Sequence, residues 1–320
     1  MGGIIICKGA VIMSFSLRPF TPPDFTQEKF RNAPNATLVP CPKDGVAPEA
    51  YHAMSIFPEY FKVDGQWIMA KESRMDCVPV YENGVIFVRE FRLLKAGDLV
   101  FTGRTENCEN GIYVYPDGFR ESTVQQDVFA FRQNRSRETA FSKDYDEIYD
   151  LLRHDREHGK IVWVMGPAFA FDYDARNAFA KLVNGGYVHA VLAGNALATH
   201  DLEGAYLNTA LGQNIYTTQN QPNGHYNHLD LLNRVRYHGS VSKFIEEEQI
   251  DNGIIYNLEK NHIPYVLGGS IRDDGPLPPV FANVYEAQDA MRNQVRDATT
   301  VICMATMLHT IATGNMTPSF

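Results

Sequence analysis

The sequence predicts an α/β protein in which a mainly antiparallel β domain is followed by a parallel α/β sheet. In the first half, short β-branched and aromatic runs are separated by turn signals; after Gly159, apolar strand-length runs alternate with segments of helical period. With 44% hydrophobic and 21% charged residues over 320 positions, the composition is that of a folded chain long enough for roughly two domains.

Taken in order, residues 1–13 ("MGGIIICKGAVIM") are apolar, lack a basic leading region and carry Lys8. They are too short to span a bilayer and read as a leading extension before a start at Met13. The run "CVPVYENGVIFV" sets Asn83-Gly84 between two β-rich stretches, a hairpin signal. Pro79 inside its first arm predicts an edge or irregular strand, because proline cannot donate to a ladder. Further strands are expected at Asp98–Gly103 and Gly111–Pro116. The expected domain plan is a β-rich domain over 1–143, a connector helix over 144–160 and a parallel α/β nucleotide-binding domain over 161–320.

Within that last domain, "KIVWVMGPA" reads as a buried strand, followed by a helix stopped at Gly185-Gly186. "YVHAVLAGNA" is the next strand, and "DLEGAYLNTALG" reads as its helix, with Leu202, Ala205, Tyr206 and Ala210 on one face. "IPYVLGGS" with "ANVYEAQDAMRNQVRDA" is a third unit. "TTVICMATMLHTIATG" is a fourth, a strand through Met304 that then turns helical. Alternation of this kind predicts a parallel sheet covered on both faces.

Charge and cysteine usage narrow the function. A net charge of −9 without a Lys/Arg cluster argues against a nucleic-acid surface and favours a small-molecule ligand. Five scattered cysteines with no CxxC pair suggest neither a disulfide framework nor a thiolate metal site, and fit a reducing cytoplasm. His225 and His228 stand three apart, but no Glu or Cys nearby completes a ligand set, so no metal is expected.

Parallel sheets bind ligands at the carboxyl ends of their strands. Here those ends are small: Gly166-Pro167-Ala168, Gly194-Asn195-Ala196, Gly268-Gly269-Ser270 and Met304-Ala305-Thr306. Small residues admit a flat ligand to the backbone, and a nucleotide is the natural occupant, although GxGxxG is absent and turns alone also select glycine. Polar residues gather at the same ends: Asn195, His200 and Asp201 after the second strand, and Arg272, Asp273 and Asp274 after the third. An Arg can clamp a carboxylate while an Asp accepts a proton; equally, Asp274-Gly275-Pro276 can form a turn with Arg272 paired locally to Asp273.

Five stretches, "AVLAGNALATHDLEGAYLNTALG", "GHYNHL", "VLGGSIRDDGPLPPV", "VYEAQDAMR" and "MATMLHTIATGNMTPS", together resemble the ornithine cyclodeaminase family of LOR/SDH type, in order from about Gly166 to Ser319. This family comprises stand-alone archaeal proteins and the C-terminal portion of cyanobacterial arginine-degrading enzymes. The first half is similar through "DGVAPEAYHAMS", "VDGQWI" and "RMDCVPV". It departs at Ala53-Met54-Ser55-Ile56, where the family usually has Ser-Thr-Thr-Asn, and members usually continue past "NMTPS" into a strand carrying an acidic residue.

The resemblance implies a sheet like the NAD-binding fold of deoxyhypusine synthase, catalytic NAD, and conversion of ornithine to proline and ammonia without net redox change. It also implies a homo-oligomer. It marks Gly194, Asn195, Ala196, Gly268, Gly269 and Ser270, then Gly166, Pro167 and Thr306, as cofactor contacts. Asp273, Asp274 and Arg272 are marked for substrate or catalysis, with His200 and Asp201 as secondary candidates. Two alternatives stay open: a relative acting on another amino-acid-derived substrate, and a non-catalytic ligand-binding or partner protein that keeps the fold.

Overall fold

The computed structural model describes residues 19–119, 142–273 and 275–318. The proposed leading extension and Asp274 lie outside the described residues.

The N-terminal half opens with a short helix α1 (Glu28–Asn32) and carries seven strands: β1 (Thr37–Pro40), β2 (Glu59–Val63), β3 (Gln66–Met69), β4 (Val78–Glu82), β5 (Val85–Arg89), β6 (Leu99–Thr102) and β7 (Ile112–Val114). They form two antiparallel sheets, ordered β1-β6-β4-β5 and β3-β2-β7. Asn83 and Gly84 both adopt positive φ, 51° and 82°, which gives the tight hairpin between β4 and β5. Pro79 behaves differently from expectation, because β4 is an internal strand. Its ladder to β6 covers only Val80 and Tyr81, so Pro79 has a partner strand on one side alone and its missing N–H interrupts no second ladder.

Lys62 shows how this half closes on itself. Its buried ammonium donates to the carbonyls of Phe30, Arg31 and Ala33 at 2.8–3.0 Å, satisfying all three protons while capping the end of α1.

Helix α2 (Ser142–His158) leads into β8 (Ile161–Met165), followed by α3 (Ala168–Phe171), α4 (Tyr173–Asn184), β9 (Ala190–Gly194) and α5 (Asn195–Leu207). A two-residue hairpin, β10 (Thr209–Ala210) with β11 (Gln213–Asn214), precedes α6 (Asn227–His238), α7 (Val241–Glu247) and α8 (Ile254–Lys260). The chain then forms β12 (Tyr265–Gly268), α9 (Val284–Val295), β13 (Thr300–Met304) and α10 (Met307–Met316). Two sequence boundaries move. Helix α5 starts at Asn195, directly from the last residue of β9, and ends at Leu207 because Asn208 turns left-handed at φ 57°; Ala210 therefore belongs to a strand.

Strands β12-β9-β8-β13 form one parallel sheet. Side chains alternate between two cores. Ile161, Trp163, Met165, Val191 and Ala193 pack with residues of α4, α5, α6 and α8; Val162, Val164, Ala190 and Leu192 pack with Val295 of α9 and Met316 of α10. The chain steps β8, β9, β12 in one direction and returns to place β13 on the far side of β8, creating a topological switch beside β8. No described helix is long and apolar enough to cross a membrane.

Candidate active site

A cavity of about 560 Å³ opens at the carboxyl ends of β8, β9 and β12, on the face covered by α9 and α10. Gly194, Gly268, Gly269 and Ser270 line it. Leu192 and Met291 supply apolar surface, and Gln288, His309 and Asn315 supply polar groups. Sequence reasoning missed the α9 and α10 contributions, since Gln288 sits within a helix read only for its apolar stripe.

The glycines differ in cause. Gly194 has φ −98°, open to any residue, and a Cβ there would meet only the Gly268 carbonyl at 3.7 Å; a Cβ at Gly268 would meet the flexible end of Met291 at 3.4 Å. Neither turn geometry nor backbone packing demands glycine at these two positions, so the absent side chains keep the cavity open. Gly269 is different: a Cβ would lie 2.9 Å from the Phe281 carbonyl, whose oxygen already accepts the Gly269 N–H.

Asn195 ties two strand exits together. Its Nδ2 donates to Asp273 Oδ1 at 3.3 Å, and its Oδ1 accepts the Leu277 N–H at 3.0 Å. Asp273 Oδ2 accepts the Ser270 N–H at 2.7 Å, and the Arg272 N–H donates to Ser270 Oγ at 3.2 Å. Arg272 itself is exposed, with its backbone rather than its guanidinium held in the turn. Ala196 follows on α5 with partial exposure. Gly166 and Pro167 lie at the β8 exit, where Gly166 packs against Ala305. Thr306 caps α10 and meets the Nδ1 of the cavity-lining His309 at 2.9 Å.

Asp201 departs from its expected role. It is fully buried, and Arg176 Nε donates to its Oδ1 at 2.6 Å, while the Ile254 and Ile255 N–H groups donate to the same carboxylate at 2.9 and 2.7 Å. A carboxylate so enclosed caps α8 and anchors α4 to α5; it does not face a substrate. His200, one residue earlier, pairs with Glu203 instead. His225 is exposed, and among the described residues no group of three or more His, Cys, Asp or Glu is placed to hold a metal ion.

A four-stranded parallel sheet with this strand order, and a cavity at its glycine-lined carboxyl edge, define a Rossmann-like class of α/β protein. Residues 146–320 match the family described as "Arginine dihydrolase ArgZ-like, C-terminal, Rossmann fold". The chain is 37% identical over 286 residues to the ornithine cyclodeaminase of Methanopyrus kandleri, covering 88% of this chain and 68% of that protein. Its structure resembles the crystal structure of a conserved LOR/SDH protein from Methanococcus maripaludis, with TM-score 0.80, 37% identity and coverage of 89% of this chain and 85% of that one. It also resembles AgrE crystallised with ornithine and NAD+, with TM-score 0.54, 32% identity and coverage of 90% and 40%. The chain belongs to the ornithine cyclodeaminase (LOR/SDH) family, which includes archaeal ornithine cyclodeaminases and the C-terminal region of cyanobacterial ArgZ and AgrE.

Proposed function

We propose that this protein is an NAD-dependent cyclodeaminase that converts L-ornithine, or a related diamino acid, to L-proline or its analogue and ammonia. The observation that carries this reading is the glycine-lined cavity at the carboxyl ends of β9 and β12 in a chain of this family. The residues present fit a dinucleotide: Gly194 and Gly268 leave room for a flat base against the backbone, while Ser270, Gln288 and Asn315 offer polar contacts at its edge. Reversible hydride transfer is the chemistry the cofactor supplies when bound.

The protein's own groups bind and orient. In this reading Arg272 holds the substrate carboxylate, Asp274 serves the amine, and Asp273, which accepts the Ser270 N–H, fixes the turn that carries Arg272. Gly166, Pro167, Asn195, Ala196 and Thr306 complete the cofactor's surroundings. The division into a β-rich domain through residue 143, a connector over 144–160 and a nucleotide-binding domain from 161, a homo-oligomeric assembly and a cytoplasmic setting belong to the same proposal. A second reading, a relative working on another amino-acid-derived substrate, is favoured by Ala53, which stands in the departing segment and lines a separate cavity of about 330 Å³ with His52 and Arg104.

Purified full-length protein should release NAD on denaturation and form proline and ammonia from ornithine without added reductant. Bound NAD with no ornithine turnover would select the second reading, and failure to bind NAD at millimolar concentration would end both.

A further inference from the structure

Tyr285, in the first turn of α9, is the only Phe, Tyr or Trp among the described residues that line the cavity, and it is 58% exposed. Exposure of a single ring means little by itself. What sets Tyr285 apart is how firmly it is held. The Asn283 side chain caps α9 and accepts the Tyr285 N–H at 2.9 Å, which fixes the backbone. The guanidinium of Arg92, from the β-rich half, lies over the ring, 5.3 Å from its centre. Asp289, one turn along α9 from Tyr285, accepts from both terminal nitrogens of Arg92, and Arg92 Nε stands 2.8 Å from a Glu90 oxygen.

An aromatic side chain already ordered in this way gives up little conformational freedom when a planar ligand settles against it. The same cavity is lined by Gly194 and Gly268, whose missing side chains leave the backbone open. A flat group entering it therefore meets bare backbone and a preorganised ring.

We infer that Tyr285 is the residue on which the adenine ring of the dinucleotide stacks and that Arg92 is its positioning residue, an inference that rests on the reading of NAD as the cofactor. Of the two rings that NAD+ carries, electrostatics select adenine. The Arg92 guanidinium already occupies the electron-rich face of Tyr285, and the oxidised nicotinamide ring is itself cationic, so placing it on the same phenol sets two positive charges against each other. Adenine is neutral and stacks without that repulsion. Arg92 is not among the residues that line the cavity, so it acts through Tyr285. The β-rich half thereby contributes to cofactor affinity without entering the cavity.

Titration calorimetry on full-length protein freed of cofactor tests this with two probes, NAD and ADP-ribose, which keeps adenine and pyrophosphate but lacks nicotinamide. Tyr285→Leu should weaken both by the same factor, about ten- to a hundredfold, and Tyr285→Phe should restore both to within about twofold of the wild type, because the ring and not the hydroxyl is used. NAD weakened with ADP-ribose unchanged puts nicotinamide on Tyr285 and overturns the adenine assignment. Arg92→Ala should weaken NAD by about three- to tenfold in the wild-type background and add nothing in the Tyr285→Leu background. A loss that persists there removes Arg92 from the positioning role. If Arg92→Ala fails to fold, Asp289→Asn, which loosens the guanidinium while keeping it, takes its place in the cycle. Wild-type binding with Tyr285→Leu unchanged overturns the inference alone, and wild-type protein that binds neither probe overturns the cofactor reading and the inference together.

Discussion

Gly194 and Gly269 look alike in sequence and differ in what they prevent. Replacing Gly194 with Leu sends a side chain into the cavity without a backbone clash, so NAD affinity should fall by about ten- to a hundredfold while the unfolding midpoint barely moves. Gly269→Ala should do the reverse in kind, costing about 1–3 kcal/mol of stability because its Cβ meets the Phe281 carbonyl. Calorimetric titration with NAD and denaturant unfolding of the two variants separate these effects. Asp201 is a third residue whose meaning depends on neighbours. Asp201→Asn leaves the Arg176 guanidinium buried opposite a neutral group, and a loss of about 3–5 kcal/mol is expected in urea unfolding.

Among the elements, α9 has two working faces. Ala287, Gln288 and Met291 line the cavity, while Asp289 and Arg292, with Arg296 just past the helix end, meet the β-rich half through Arg92, Glu90 and Glu72. Arg92 and Asp289 pair bidentately, with bonds of 2.6 and 3.3 Å. Burial, together with the neighbouring Arg74 guanidinium, pushes Arg292 down to about 10. Glu90 stands against both Arg74 and Arg292 and is the carboxylate these two nearly buried arginines share. Glu90→Gln should therefore cost about 3 kcal/mol or more and speed amide exchange along α9, read by mass spectrometry of exchanged peptides. An α9 that exchanges no faster in this variant would show that the ion pairs are not what seats it. The amphipathic period of "VYEAQDAMRNQV" was legible as a helix; which side faced ligand and which faced the other half was not, because both carry polar and apolar residues.

For the molecule as a whole, two buried carboxylates tie stability to pH. In Asp155, burial opposes ionisation, but the hydroxyls of Thr300 and Thr299 and the ring of His154 hold it below its ordinary range, as Glu203 is held in α5. Both groups have native values lowered from the unfolded ones, near 4, so the unfolded chain binds more protons in the window between. Their contribution is complete above that window and is lost as pH falls through the native values. The guanidinium unfolding midpoint should be flat from neutral pH to about 5 and decline below 4, and Asp155→Asn should weaken the decline.

Local chemistry was enough to specify the β4–β5 hairpin and the alternating strands and helices of the second half, but not α1, the strands β1 to β3 or the β10–β11 hairpin. Asn83-Gly84 could only be a hairpin, Gly185-Gly186 a helix stop, and the β-branched runs of β8, β9, β12 and β13 a buried parallel sheet, because turn geometry and side-chain period act over a few residues. Small strand ends likewise pointed to the edge where Gly194 and Gly268 line a cavity. What the sequence could not reveal depends on neighbours distant along the chain. The same stretch "ATHDLEG" holds one carboxylate closed by Arg176 from α4 and the end of α8, and another turned to brace a histidine, and no spacing rule tells Asp201 from Glu203. Only folding settles such matters, since hydrogen bonding and burial are fixed by whichever groups the tertiary structure brings within about 3 Å.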